Sequence, residues 1–163
     1  MRPAGDIGDL VQYGRWLGEC DDLGLTSLEI VDILTESDDA VAHFRAAILL
    51  LSVRPVDEER IQRLLDSALL HGDDFLKTLL EAWAVFSEIS IRYEQNTIAP
   101  AYVSHSFEIY DSVAQKLKKY ADHPMRREAD LKILQMIMKS YYILEDSKNV
   151  LKYSRSVYLR SCT

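Results

Sequence analysis

Cysteine is nearly missing from this 163-residue chain. Cys20 and Cys162 are the only two, too few and too far apart for a disulfide framework. A reducing compartment, cytoplasmic or nuclear, is the expected setting. Long hydrophobic runs are missing as well. The longest, residues 46–51, falls far short of the ~18 residues a membrane span needs, so no membrane association is expected. Residues 1–5 carry one Arg and no apolar core, which predicts no signal peptide. Glycine (six) and proline (four) are sparse, and no phosphate-cradling glycine loop or Gly-x-Ser-x-Gly elbow occurs. Strand alternation and Asn-Gly hairpin chemistry are absent, which predicts an all-α fold.

Catalytic constellations are scarce too. His43, His71, His105 and His123 are scattered, with no His-x-x-x-His pair and no nearby cysteine, so neither a metal nor a cofactor is expected. The acid pairs Asp21-Asp22, Asp38-Asp39 and Asp73-Asp74 fall at helix starts, where they complement the helix dipole. The expected function is non-catalytic.

What is present is an ordinary globular composition, 48% hydrophobic and 28% charged, in a length that suits one domain over residues 1–163. The abrupt close at Cys162-Thr163, on a helix barely finished, raises the expectation of a piece of a longer chain. Net charge is −7, unevenly spread: residues 1–81 hold 17 acids and 7 bases, residues 82–163 hold 9 acids and 12 bases. Solvated helix faces account for this most simply. A basic end that docks an acidic partner is the sharper reading. A pI near 5.1 disfavours nucleic acid, because phosphate affinity needs a dense positive footprint.

Punctuation along the chain predicts about eight helices. Residues 7–17 carry a stripe of Leu10, Val11, Tyr13 and Leu17, broken by Gly18 and Gly24. Thr26 with Glu29 forms a capping-box signature for the second helix. Ser37 is the expected cap of the third, and Asp57 to Glu59 open the fourth, which ends at Gly72. A fifth helix runs from Asp73 to about Tyr93, and Pro100 sits in the first turn of the sixth. Helices over 131–144 and 147–160 complete the chain, with expected inward stripes of Leu131, Leu134, Ile137, Met138 and Tyr141, then Val150, Leu151, Ser154, Val157 and Tyr158. The expected architecture is an irregular antiparallel helical-hairpin array, a solenoid or a curved bundle. Exposed apolar residues on the terminal helices (Val157 and Tyr158 at one end, Leu10 and Trp16 at the other) make a homo-oligomer possible.

Residues 131–160 resemble a tetratricopeptide repeat. Leu134 takes the bulky opening position, Ile137 the following apolar one and Tyr141 the first-helix aromatic. Val150 and Val157 fall where small residues are wanted, and Leu151 follows in the second helix. Met138 replaces a small residue, Glu145 replaces the turn glycine, and the closing proline is missing. Trp83, Phe86 and Ser87 offer a weaker second match. The resemblance implies a groove lined by first helices, here by Lys132, Gln135, Met136, Lys139 and Tyr142. Its expected occupant is an acidic or amphipathic segment of another protein, with the chain acting as scaffold or adaptor.

Two further resemblances imply other functions. Residues 22–29, Asp-Leu-Gly-Leu-Thr-Ser-Leu-Glu, resemble the phosphopantetheine attachment site of carrier proteins, with Ser27 as the attachment residue. Residues 25–47 resemble a DNA-reading helix-turn-helix, with Glu29, Ile30, Ile33, Leu34, Ser37, Val41 and Arg45 near that family's positions. Asp38 and Asp39 would there meet phosphate unfavourably.

Overall fold

The computed structural model describes residues 2–3 and 5–161; Cys162 lies outside them. The described residues form eight α-helices, one 3₁₀ turn and no strand, so the chain is all-α. In order these are α1 (Leu10–Asp22), α2 (Ser27–Thr35), α3 (Ala40–Leu51), α4 (Glu58–His71), α5 (Asp74–Glu94), α6 (Pro100–Leu117), the 3₁₀ turn Lys118–Tyr120, α7 (Arg126–Ile143) and α8 (Ser147–Ser161). The chain's packing groups into two compact units, residues 1–80 and 81–163, and the division falls inside α5.

The first unit is organised around α3, which packs against both α2 and α4. Ala42, Phe44, Ala46, Ala47 and Leu50 are buried, and no residue of α3 is exposed. The small alanines let neighbouring helices approach closely, while Phe44 and Leu50 supply buried area worth roughly 1.5–3 kcal/mol each. Arg45 is also buried, 2% exposed. Its Nε donates to the Ile7 carbonyl at 2.6 Å, and its guanidinium lies 4.2 Å above the Tyr13 ring. A charge so placed is tolerable only because it is hydrogen-bonded and stacked.

Side-chain caps set the helix starts. The capping box of Thr26 and Glu29 is formed as expected. α3 is capped by Asp39 rather than by Ser37, whose hydroxyl instead accepts from the Asp39 backbone N–H. α1 begins at Leu10, capped by Asp9, and continues through Gly18. Its buried stripe is Tyr13, Trp16 and Cys20, so Leu10 and Val11 face solvent, and Trp16 is core rather than an exposed terminal residue. Gly72 ends α4 in extended backbone, not a left-handed turn. A Cβ there would lie 2.6 Å from the Ala68 carbonyl oxygen, so close approach is what requires glycine.

The second unit contains the end of α5 with α6, α7 and α8. α6 packs on α7, and α7 on α8. The stripe of α6 is Val103, Ser106, Tyr110, Val113 and Leu117, close to expectation. Pro100 occupies its first turn, where no backbone N–H is needed. α7 begins five residues before its expected start. Arg126 anchors that added turn, donating to the Leu117 carbonyl at 2.6 Å and to Asp130 at 3.0 Å. Three aromatic rings then tie the unit together: Phe107 stacks on Tyr141 at 4.4 Å, and Tyr141 on Tyr153 at 5.6 Å.

The buried face of α7 differs from the predicted one. Ala129, Ile133, Met136 and Ser140 point inward, while Leu131, Leu134, Ile137, Met138 and Tyr141 are only half-buried. α8 buries no residue completely. Val150, Tyr153 and Val157 face α7 at half burial, whereas Leu151 and Tyr158 project outward at 72% and 68% exposure.

Candidate functional site

The expected groove residues lie on α7, and the structure sorts them. Gln135 and Tyr142 are exposed, Lys132 and Lys139 are partly exposed, and all four share one side of the helix. Met136 is a correction. It is completely buried on the inward stripe with Ile133 and Ser140, so it supplies no contact to a partner.

The second half of α5 completes this face. The Lys132 ammonium lies 5.8 Å from the Trp83 ring centroid and 3.7 Å from the Glu128 carboxylate. The Lys139 ammonium lies 5.0 Å from both the Tyr93 and Tyr142 rings, which meet edge to face at 6.4 Å. Residue numbers rise together on the two helices, Trp83 beside Lys132 and Tyr93 beside Tyr142. α5 and α7 therefore run parallel along this face.

Electrostatics separates the two lysines. Lys132 is neutralised by Glu128 and covered, its side chain only 18% exposed. Lys139 makes no ion pair among the described residues, and its charge rests on two phenol rings. Each cation–π contact at such an exposed position contributes about 0.5–1 kcal/mol and leaves the ammonium able to donate hydrogen bonds. The neighbouring Tyr142 phenol holds Tyr93 above the usual phenol range. Chemically, this end of the face offers one cation, two phenol hydroxyls and an amide from Gln135. That set suits a carboxylate flanked by apolar groups. Tyr93 was not among the expected site residues. Its signal was the Trp83, Phe86 and Ser87 pattern, which marked α5 as a first helix.

The other candidate residues sit differently. Arg45, expected near a DNA-reading position, is sealed in the first unit, and α3 has no exposed face to enter a groove. Ser27 is exposed in the first turn of α2, inside the capping turn. His43 lies 2.7 Å from the Ser67 hydroxyl and 2.5 Å from the Ser37 carbonyl, tying α3 to α4 and to the turn before it. Among the described residues, no group of three or more His, Cys, Asp or Glu side chains could hold a metal ion, and no helix is long and apolar enough to cross a membrane.

Comparison of the chain with protein-family models, curated protein sequences and solved structures returned no match.

Proposed function

We propose that this protein is a non-catalytic interaction module whose α5–α7 face binds an acidic segment of another protein, in the manner of a tetratricopeptide-like groove. The observation that carries this reading is the parallel placement of α5 and α7, with the Lys139 ammonium, which makes no ion pair among the described residues, set between Tyr93 and Tyr142. Tyr142, 54% exposed, offers a hydrophobic surface beside that charge. Aromatic rings flanking a cation are the kind of anchor on which interfaces concentrate their binding energy. The expected setting is intracellular.

The reading is tested by affinity capture with the wild-type chain and with Lys139→Glu/Tyr142→Ala, each read by quantitative mass spectrometry. Proteins captured by the wild type should fall at least tenfold with the variant, with the helical circular dichroism unchanged. Equal capture by both chains would place partner binding elsewhere.

The absence of any exposed residue on α3 and the burial of Arg45 weigh against DNA reading as the second function. Carrier function has its own check: incubation with a phosphopantetheinyl transferase and its coenzyme substrate should leave the mass of the chain unchanged.

A further inference from the structure

The acids and bases of this chain are segregated more sharply than the net charge suggests. Residues 16–44 contain eight acids and no Lys or Arg, whereas residues 147–161 contain four bases and no acid. Each region also exposes large apolar side chains. Leu23 and Leu28 are exposed, Leu23 at 66%, in a stretch whose Asp22, Glu29 and Glu36 are exposed too and whose Asp32 is paired with Arg60. On α8, Lys148, Leu151, Lys152, Arg155 and Tyr158 border a shallow open depression along the side turned away from α7.

We propose that the outer face of α8 docks on the acidic α1–α2 corner of a second copy of the chain. The two surfaces match in kind: a stretch with two exposed leucines and the exposed carboxylates of Asp22, Glu29 and Glu36 meets a leucine and a tyrosine beside Lys148, Lys152 and Arg155. A second α8 does not fit, because it carries the same sign of charge. A lipid surface fits poorly, because α8 belongs to a chain of net charge −7. The complement of α8 is already present on the chain itself, and that selects the second copy over a foreign partner. The contact joins unlike surfaces, so it is small, salt-sensitive and able to repeat from one copy to the next.

The test uses the whole chain in sedimentation velocity across a dilution series, at low and at high salt. The mean mass should rise with concentration at low salt and fall as salt screens the contact. Lys152→Glu/Arg155→Glu and Asp22→Lys/Glu36→Lys should each shift the association midpoint at least tenfold. A one-to-one mixture of the two variants should regain the lost mass, because reversed α8 then faces the reversed α1–α2 corner. All four substitutions are at exposed positions; Leu151→Ser/Tyr158→Ser gives a charge-neutral check with the same expected loss. A wild type that stays monomeric to about 1 mM, the weak end of the affinity scale, overturns the proposal. So does a mass curve that either charge reversal leaves unchanged. Cosedimentation with phosphatidylglycerol vesicles that the α8 reversal abolishes, while mass stays flat, would assign the face to lipid and also overturn it.

Discussion

Replacing Glu145 with glycine should stabilise the protein, although Glu145 is exposed and its side chain makes no hydrogen bond among the described residues. Glu145 joins α7 to α8 at φ +59, in the left-handed region. Two bonds close the turn around it, Asp146 N–H to the Tyr141 carbonyl and Glu145 N–H to the Tyr142 carbonyl, both 3.0 Å. This is the Schellman arrangement. It recurs after α1 with Gly24 at φ +72 and after α5 with Asn96 at φ +55. Three helices thus end by the same device, with a glycine, an asparagine and a glutamate in the left-handed position. An ordinary side chain there costs about 1–2 kcal/mol. Glycine removes that cost but adds about 0.5–1 kcal/mol of unfolded-chain freedom. The balance favours Glu145→Gly by roughly 0.5–1 kcal/mol, or about 1–4 °C in Tm for a chain of this length.

Differential scanning calorimetry of the full chain near neutral pH would read this directly. Gly24→Ala supplies the mirror experiment. A Cβ at Gly24 meets nothing within 4 Å, so the net loss of about 0.5–1 kcal/mol expected there comes from the backbone alone. Glu145→Gln separates charge from conformation, because it removes the carboxylate and keeps the strained φ. If Glu145→Gln raises Tm as much as Glu145→Gly, or if Glu145→Gly lowers it, the backbone explanation is wrong.

Arg45→Lys should cost about 2–3 kcal/mol in urea unfolding, because an ammonium cannot both donate to the Ile7 carbonyl and stack flat on Tyr13. Tyr102, partly buried and bonded to Glu88 at 2.7 Å, is pushed up to about 12. Its contribution to stability is therefore complete below the ordinary phenol value and is lost as pH rises through about 12. A phenolate absorbance titration should show this late component, and Tyr102→Phe should remove it. The Tyr102 hydroxyl is also the main cause that lowers Glu88, so the same variant should raise the Glu88 pKa in a carboxylate NMR titration. Asp146 is held below the usual carboxylate range by the Asn149 side chain and backbone N–H. That support is present above the ordinary Asp value and lost as pH falls through the lowered one. Asp146→Ala should weaken α8 near neutral pH and flatten its acid-induced loss of ellipticity.

The helices were legible because their punctuation is local. Thr26 with Glu29, Asp57 before α4 and Pro100 before α6 act within a few residues, and each formed its cap or first turn where spacing placed it. What failed was deciding which side of a helix goes inward. In α1 a stripe from Leu10 and Val11 competes with one from Tyr13, Trp16 and Cys20, and hydrophobicity alone ranks them similarly. The aromatic stripe won because it buries more area against the first unit's core and beneath the Arg45 guanidinium. The buried Arg45 was illegible for a related reason, since its partner Ile7 carbonyl lies 38 residues away in sequence.

α7 shows why the candidate site was only partly readable. It packs against α6 on one side and α8 on another, and its lysines also meet rings from α5, so apolar residues occur nearly all around it. A helix packed this way needs small residues where neighbours come closest, and Ala129 and Ser140 occupy those completely buried positions. The larger Leu134, Ile137 and Tyr141 are pushed to the flanks, where half burial against α6 or α8 suits their size. That rotation carries Met136 into the core, leaves Gln135 and Tyr142 exposed and Lys139 partly exposed, and covers Lys132 against Glu128 and Trp83. The basic half of the site was therefore fixed by polarity. Its aromatic half required a second helix, α5, whose Trp83 and Tyr93 reach the same face only through tertiary packing.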